Sequence, residues 1–564
     1  MGRRTISFWT AVFTATSLLL TGCHNKPVVR SQNPDDNLLA EREVQTVGDI
    51  TAPVGLRAVR AEGLTLVNSL RATGSDPPPN SQRTMVIEDM KRRSIENPNE
   101  ILASPNTSIV VVRGIIPPGA QKGDRIDVEV TVPRRSGTTS LEGGWMLQAR
   151  LLETAYLGNQ LRTGRTLAYA EGSIMTDSQI EGETSEVAQV HGRVIGGGVV
   201  NTDRSLGLAL RSDRHTGIYS IKVSDAINRR FHHFDRGSKK GAANPKTDKY
   251  IELAVQPHYR NNLLRYLRVV QLVPLREYTA EMPDQLERLG NELRAIETSQ
   301  MAALELEAIG DQAAPTLRSG LEASEPLIRF YSAEALAYLN DASAVPYLKE
   351  AIETEPAFRW NGLTALAAMI DVDAHEALSE LMHSESAETR YGAFDALREA
   401  NPRNPLVQGQ VLGDILVMHH VPSDQEPMVH VRRQGRPEMV MFGSQVQLQA
   451  PFALFAGHDI MVKSDGDKVK VIRFHVSPDR GDQVRYCRFD LQEIVKAMVE
   501  LNGSYADVIT VIMEAKEKGC FGGRVVFDAL PKSGRQYTPE IADEADEPFE
   551  SEDDAAEQNV TDAA

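Results

Sequence analysis

The sequence predicts an α+β chain in which strand-rich modules are interrupted by a short α-solenoid, and three observations predict it. Segments that alternate apolar and polar residues with period two fill the stretch before about residue 280. Alanine and leucine at helical spacing then take over as far as about residue 400, with an internal period near 31 residues. After Pro405 strand signals return, and the folded part closes with two capped helices and a strand.

The first residues carry an address rather than structure. Arg3 and Arg4 precede an uncharged, largely apolar run from Ile6 to Leu20, which is shorter than the roughly 18 apolar residues of a membrane span. It ends in Leu20-Thr21-Gly22-Cys23. Basic, apolar and small-residue regions in that order read as a secretory signal over residues 1–22, and the last four residues resemble the lipobox of bacterial lipoproteins. Cys23 is therefore the expected lipidation site, anchoring the chain to a membrane leaflet. His24 in place of an aspartate favours the outer membrane. Residues 23–42 read as a polar tether.

In the first block, 43–280, Ile109 to Ile116 is a β-branched run ended by Pro117-Pro118-Gly119, which reads as a buried strand and a turn. Arg125 to Val132 alternates as a half-buried strand and reads as its antiparallel neighbour. Leu206, Leu208 and Leu210 mark another strand, and Val223, Ile227 and Phe231 have helical spacing.

In residues 281–404, Arg329, Arg359 and Arg390 each precede an apolar pair at fixed offset: Ala335-Leu336, Ala365-Leu366 and Ala396-Leu397. Helix pairs repeating in this way stack because none buries its apolar face alone. The pattern resembles short HEAT-like repeats, with Pro315 and Pro346 near the starts of second helices, where proline is tolerated. The recurring arginines are expected to pair with aspartates between repeats, such as Asp341 or Asp373, with contact to a partner as the alternative. The repeats are expected to project as an arm that holds an unidentified protein partner.

The second block, 405–530, contains an Asp465-Gly466 hairpin signal. Asp490 with Glu493, and Ser504 with Asp507, have capping-box spacing. Asn502-Gly503 and Gly519 sit where left-handed helix stops belong. Residues 540–564 contain eleven Asp or Glu and no Lys or Arg, out of a formal net charge of −17 for the chain. The tail 531–564 is accordingly expected to be acidic and disordered.

Composition argues against nucleic acid, because no dense basic stretch interleaves with aromatics. Catalytic signatures are missing as well. His232-His233 and His419-His420 are adjacent pairs, not the i,i+4 pair of a zinc helix. Gly196-Gly197-Gly198 lacks the Lys-Ser/Thr of a phosphate loop and reads as a strand-edge turn. Ser464 to Asp467 has calcium-loop residue types without the later glutamate. No serine sits in G-x-S-x-G. No catalytic, cofactor or metal residue is nominated, and a non-enzyme is expected. With Cys23 assigned to lipid, Cys487 and Cys520 remain, and either a disulfide or two buried thiols fits them.

Pro117 to Val130, read as P-P-G-A-Q-K-G-D-R-I-D-V-E-V, is close to the P-P-x-A-x-x-G-x-x-I-D-V-x-V of the flagellar basal-body P-ring protein family. Ser140-Leu141-Glu142-Gly143-Gly144, Gly192-Arg193-Val194 and Asp225 to Phe231 resemble further stretches of that family in the same order, and Asp490 to Gly519 is similar to its closing helices. The resemblance implies a structural component of the bacterial flagellum basal body, a homo-oligomeric ring around the rod that contacts the rod and other ring proteins. It departs from the family at Ser69 to Asp76, where two glycines are lost and a serine is gained. It departs again at the lipid anchor and the inserted repeats, since family members are periplasmic, unlipidated and without such an insertion. An envelope scaffold that uses its repeats outside motility is the alternative.

Overall fold

The computed structural model describes residues 45–538 except 158–159, 182–184, 236, 277–281, 444–445, 458 and 475–480. Cys23, the residues expected to form its leader and tether, and the acidic residues after 538 lie outside the described residues.

The first block opens with α1 (Val47–Ile50) and β1 (Thr51–Val54), then β2 (Val59–Asn68), α2 (Ser81–Arg92), α3 (Pro98–Leu102), β3 (Ser108–Ile116), β4 (Arg125–Thr131), β5 (Trp145–Leu157), β6 (Gln160–Ser173) and β7 (Met175–Thr176). The short helices α4 (Asp177–Glu181) and α5 (Glu186–Val190) precede β8 (His191–Val200). Strands pair in the order β4-β3-β2-β5-β6-β8, and β8 pairs back onto β4, so six antiparallel strands close a barrel. Closure leaves no long edge exposed. Alternate residues fill its interior, including Val110, Val112, Val128, Val130, Met146 and Leu151, all fully buried. The antiparallel partnership of β3 and β4 is as expected from their patterns. Gly196-Gly197-Gly198 differs from expectation. It lies inside β8, where the register to β4 shifts between Ile126 and Val128, and Gly196 takes φ of 59°. It is a mid-strand bulge, not a strand-edge turn, and the third glycine is required because a Cβ there would lie 2.6 Å from Ile126.

After the barrel come β9 (Leu206–Leu210), α6 (Gly217–Arg230), β10 (His232–Asp235), β11 (Ser238–Gly241), β12 (Ala243–Pro245), β13 (Tyr250–Leu253) and α7 (Leu263–Leu272). A second sheet, β1-β9-β13-β12, buries Leu206, Leu208 and Leu210 under α6 and α7.

The repeats are α8 (Met282–Leu293), α9 (Ile296–Ile309), α10 (Ala314–Gly320), α11 (Pro326–Tyr338), α12 (Val345–Thr354), α13 (Arg359–Ala368), α14 (Val372–Leu381) and α15 (Ala387–Ala400). They stack in two layers, with α9, α11, α13 and α15 in one and α8, α10, α12 and α14 in the other. Pro315 and Pro346 sit in the first turns of α10 and α12. The repeats do not project as an arm. One continuous buried cluster runs from Val47 through α7 and every repeat to Val440 and Phe442, so the solenoid is a bridge whose ends are both packed.

The second block contains β14 (Gln410–Leu412), β15 (Leu416–Val421), β16 (Met428–Arg432), β17 (Glu438–Phe442), β18 (Ala453–Ala456), β19 (Ile460–Asp465), β20 (Lys468–Arg473), β21 (Gln483–Cys487), α16 (Leu491–Glu500), α17 (Tyr505–Glu517) and β22 (Arg524–Phe527). A mixed sheet, β14-β15-β17-β16-β22, and an antiparallel one, β18-β19-β20-β21, share a core with α16 and α17. The hairpin at Gly466, φ of 63°, joins β19 to β20. Ser504 and Asp507 form the full capping box. Asp490 caps α16 by itself, because Glu493 turns away to Arg488. Asn502 and Gly519 take the left-handed stops.

Residues 531–538 correct the expected boundary of the tail. They leave β22 through Asp528, φ of 48°, and lie along the repeats, Tyr537 packing against their core.

Candidate functional site

The features that organise the molecule are two buried polar clamps at the ends of the repeat bridge, a direct barrel-to-sheet contact, and the groove under the C-terminal segment.

At the first end, Arg265 of α7 enters the repeats. Its Nη2 lies 2.6 Å from Glu307 of α9 and its Nη1 2.6 Å from Glu334 of α11. The Tyr259 hydroxyl donates to Glu307 at 2.7 Å, Arg230 donates to the Glu307 carbonyl at 3.1 Å, and the Arg265 guanidinium lies 4.7 Å from the Tyr338 ring centre. Burial alone would lower the Arg265 pKa, but Glu307 and Glu334 outweigh it and raise it. Burial raises the Glu307 carboxyl. Two donors nevertheless converge on its oxygens, and the ionised pair is the state this geometry satisfies.

At the second end, Glu438 of β17 is buried and accepts from Tyr391 of α15 at 2.7 Å and from Arg398. Arg436 and His419 lie 3.0 and 3.6 Å away. Burial pushes the Glu438 carboxyl up, and His419, Arg436 and Tyr391 bring it below its ordinary value. His430 stacks on Tyr391 with ring centres 3.4 Å apart, and burial pushes its pKa down to about 3. His419 is buried and His420 exposed, the alternation expected of a strand.

Barrel and second block also meet directly. Asp127 of β4 accepts the Gly196 N–H at 2.6 Å and the Gly435 N–H at 2.8 Å. Arg71 pairs with Asp459, and Arg433 donates to the Ile180 carbonyl at 2.9 Å. Asp127 is the aspartate of the I-D-V segment singled out in the sequence. Its work is to join two modules.

The repeat arginines serve differently from expectation. Arg329 donates to the carbonyls of Ala323 and Ser324, Arg359 to that of Ile352, and Arg390 to those of Ser384 and Glu426. They close the loops entering their helices, whose free carbonyls need donors. Asp341 pairs instead with Arg318 at 3.0 Å. Arg359 alone reaches an acid of the next repeat, and that acid is Glu388, at 3.5 Å.

The groove runs over α13 and α15. Pro531 lies against Gly392, which Leu363 flanks, and Leu530 packs on the buried core of the repeats. Arg535 makes a bidentate pair with Glu388, both contacts 2.7 Å, which holds the Glu388 carboxyl below its ordinary range. Tyr537 stacks on Phe358 with centres 5.0 Å apart, and Phe358 on Phe330 at 4.1 Å. Beside this segment is a cleft of about 720 Å³ between Pro118, Arg260, Asn262, Tyr331, Trp360 and Gly534.

Cys487 and Cys520 are free thiols, not a disulfide; burial pushes the Cys487 thiol up to about 11. Among the described residues no group of three His, Cys, Asp or Glu is placed to hold a metal ion, and no helix is long and apolar enough to cross a membrane.

Residues 46–282 match the model of the flagellar P-ring protein family, and residues 328–354, which span α11 and α12, match the PBS lyase HEAT-like repeat. Among relatives, the flagellar P-ring protein of Thermotoga maritima is 27% identical over 236 residues, 40% of this chain and 65% of that protein. That of Caulobacter vibrioides is 28% identical over 199 residues, 33% and 50% respectively. That of Helicobacter pylori is 24% identical over 251 residues, 43% and 64%. The chain thus spans about half to two-thirds of the length of these relatives, and the family match ends where the repeats begin.

Proposed function

We propose that this protein is a non-catalytic structural component of the bacterial flagellar basal body, assembling through its barrel-bearing body as a P-ring-like ring around the rod and tethered by lipid at Cys23. The carrying observation is the family match over 46–282, which takes in the barrel and the sheet under α6 and α7 as one unit. The physical demand on such a part is rigidity with complementary side faces, because a ring of identical subunits closes only through a heterologous interface. The two clamps and the Asp127 contact supply the rigidity, locking three modules into one body without any catalytic group. The filled groove counts against a scaffold whose repeats stand open to a foreign partner.

An in-frame deletion is expected to abolish swimming while growth and envelope integrity stay normal, with motility restored by the full gene. Normal swimming in the deletion strain, with an envelope defect in its place, would overturn the assignment.

A further inference from the structure

Opposite charge is segregated along this chain. Residues 43–280 hold thirty-one Lys or Arg against twenty-five Asp or Glu, whereas the repeats, 281–404, hold nine against twenty-three. On each side of that divide one patch sets exposed aliphatic side chains among charges of mainly one sign. These two patches contain the three most exposed large apolar side chains among the described residues, Ile218, Ile370 and Val372.

The basic patch is the outer side of α6, where Ile218 and Ile221, one turn apart, are 80% and 56% exposed. The Ser220 hydroxyl donates to the Thr247 carbonyl at 2.9 Å, which lays the turn carrying exposed Lys246 and Lys249 beside the start of the helix. Asn228 bonds both backbone groups of Ala243, and β11, with exposed Lys239, packs on the same helix. Residues 211–249 contain ten Lys or Arg and four Asp or Glu. The acidic patch is the start of α14. Ile370 and Val372 are 72% and 74% exposed there, on a turn fixed by the Ile370 N–H donating to the Asn340 side chain at 2.8 Å. Between Arg359 and Arg390 there are six Asp or Glu and no Lys or Arg. Glu380 and Glu388 are taken by Lys349 and Arg535, but Asp373 and Glu376 are exposed and carry no ion pair among the described residues. An apolar centre with a charged rim is the anatomy of an interface.

We infer that the α6 face of one copy docks on the α14 face of the next, aliphatic pair against aliphatic pair and lysines against carboxylates. The inference rests on the ring reading above. The two complementary faces lie at different places on one chain, so the contact is heterologous, as ring closure requires. Two α6 faces repel each other, as do two α14 faces. Charge therefore disfavours a closed two-fold pair and favours head-to-tail assembly.

The test uses the full-length protein recovered in detergent from native envelopes, with oligomer size read by sedimentation. Lys222→Glu with Lys249→Glu reverses the basic face, and Asp373→Lys with Glu376→Lys the acidic one. Either pair alone should lose the high-mass species, and all four substitutions in one chain should restore it. Independently of the reversals, differently tagged chains carrying Ile221→Cys and Val372→Cys are co-expressed and treated with a short bis-maleimide. A control without introduced cysteines is needed because Cys487 and Cys520 are present. Docking predicts a product bearing both tags that is absent from the control. An oligomer that survives both reversals, or that yields no such product, overturns the docking and leaves the ring reading standing. So does a loss that the fourfold variant fails to restore although every variant melts like the wild type. If no oligomer is recovered from the wild type, the ring reading fails, and the docking fails with it.

Discussion

Replacing Arg265 by methionine probes the bridge most sharply, because the substitution keeps the apolar stem and removes the charge. Glu307 is fully buried and Glu334 is 5% exposed, so Arg265→Met leaves two carboxylates out of water with their principal cation gone. Removing one partner from a buried pair costs about 3–5 kcal/mol, well above the worth of an exposed pair. For a cooperative unit of about 150–250 residues, the repeats with the sheet that α7 covers, roughly 2–4 °C per kcal/mol puts the fall in melting temperature at about 6–20 °C. Burial already raises the Glu307 pKa, and without Arg265 its folded value rises further above the unfolded value of about 4.3. A carboxyl raised on folding contributes its full stability below the unfolded pKa and loses it as pH climbs through the folded one. The deficit of Arg265→Met relative to the wild type should therefore be larger at pH 7.5 than at pH 4. Differential scanning calorimetry at both pH values measures it. A melting temperature unchanged at pH 7.5, or a deficit that grows toward acid, would refute the buried-clamp account.

Other consequences follow from the same contacts. Asp127→Ala strips the acceptor from two backbone N–H groups and should cost about 1–3 kcal/mol, while exposing the junction between barrel and second block to limited proteolysis; a digestion pattern like that of the wild type would show that the aspartate does not hold the modules together. Gly196→Ala meets φ of 59° and places Cβ 2.7 Å from the Gly435 carbonyl oxygen, so the unfolding free energy from denaturant titration should drop by at least the roughly 1–2 kcal/mol of a left-handed residue. His430, held neutral to about pH 3, contributes stability that is complete above its unfolded pKa and drains as pH falls from about 6.5 toward 3. In His430→Gln the acid limb of stability between those values should flatten by up to about 1.4 kcal/mol per pH unit, and an identical limb would remove the imidazole from the acid response. Cys23→Ser should move the protein from the membrane pellet to the soluble envelope fraction or block its processing, and pelleting of a normally processed chain would count against the anchor.

Much of the architecture was legible because local pattern and tertiary demand coincide. The alternation in Arg125 to Val132 and the Ala-Leu pairs at a 31-residue period arise from one buried face each, and a face shows in a single sequence. The arm was misread for a related reason. Periodicity reports that a helix has an apolar face, but not what covers it, and here α7 and β17 cover the two ends. The clamps were missed because Glu307 and Glu334 lie within helices, where a glutamate ordinarily faces water. Their only trace is an acid falling on an apolar face, Glu307 in step with Ala303 and Leu304 and Glu334 with Phe330 and Tyr338. The tail boundary differs at Arg535 and Tyr537, which look like polar linker until the carboxylate and the aromatic ring they meet, at Glu388 and Phe358, are known. The fixed-offset arginines are expected to meet aspartates, but apart from the Arg359–Glu388 pair their acceptors are backbone carbonyls, which no side-chain pattern reveals.

The most direct test of the central claim is electron microscopy of the tagged full-length protein purified in detergent from native envelopes. The account predicts closed rings of one subunit type that co-purify with basal-body remnants. A preparation that is monodisperse and monomeric at high concentration, with no ring in any fraction, would contradict it.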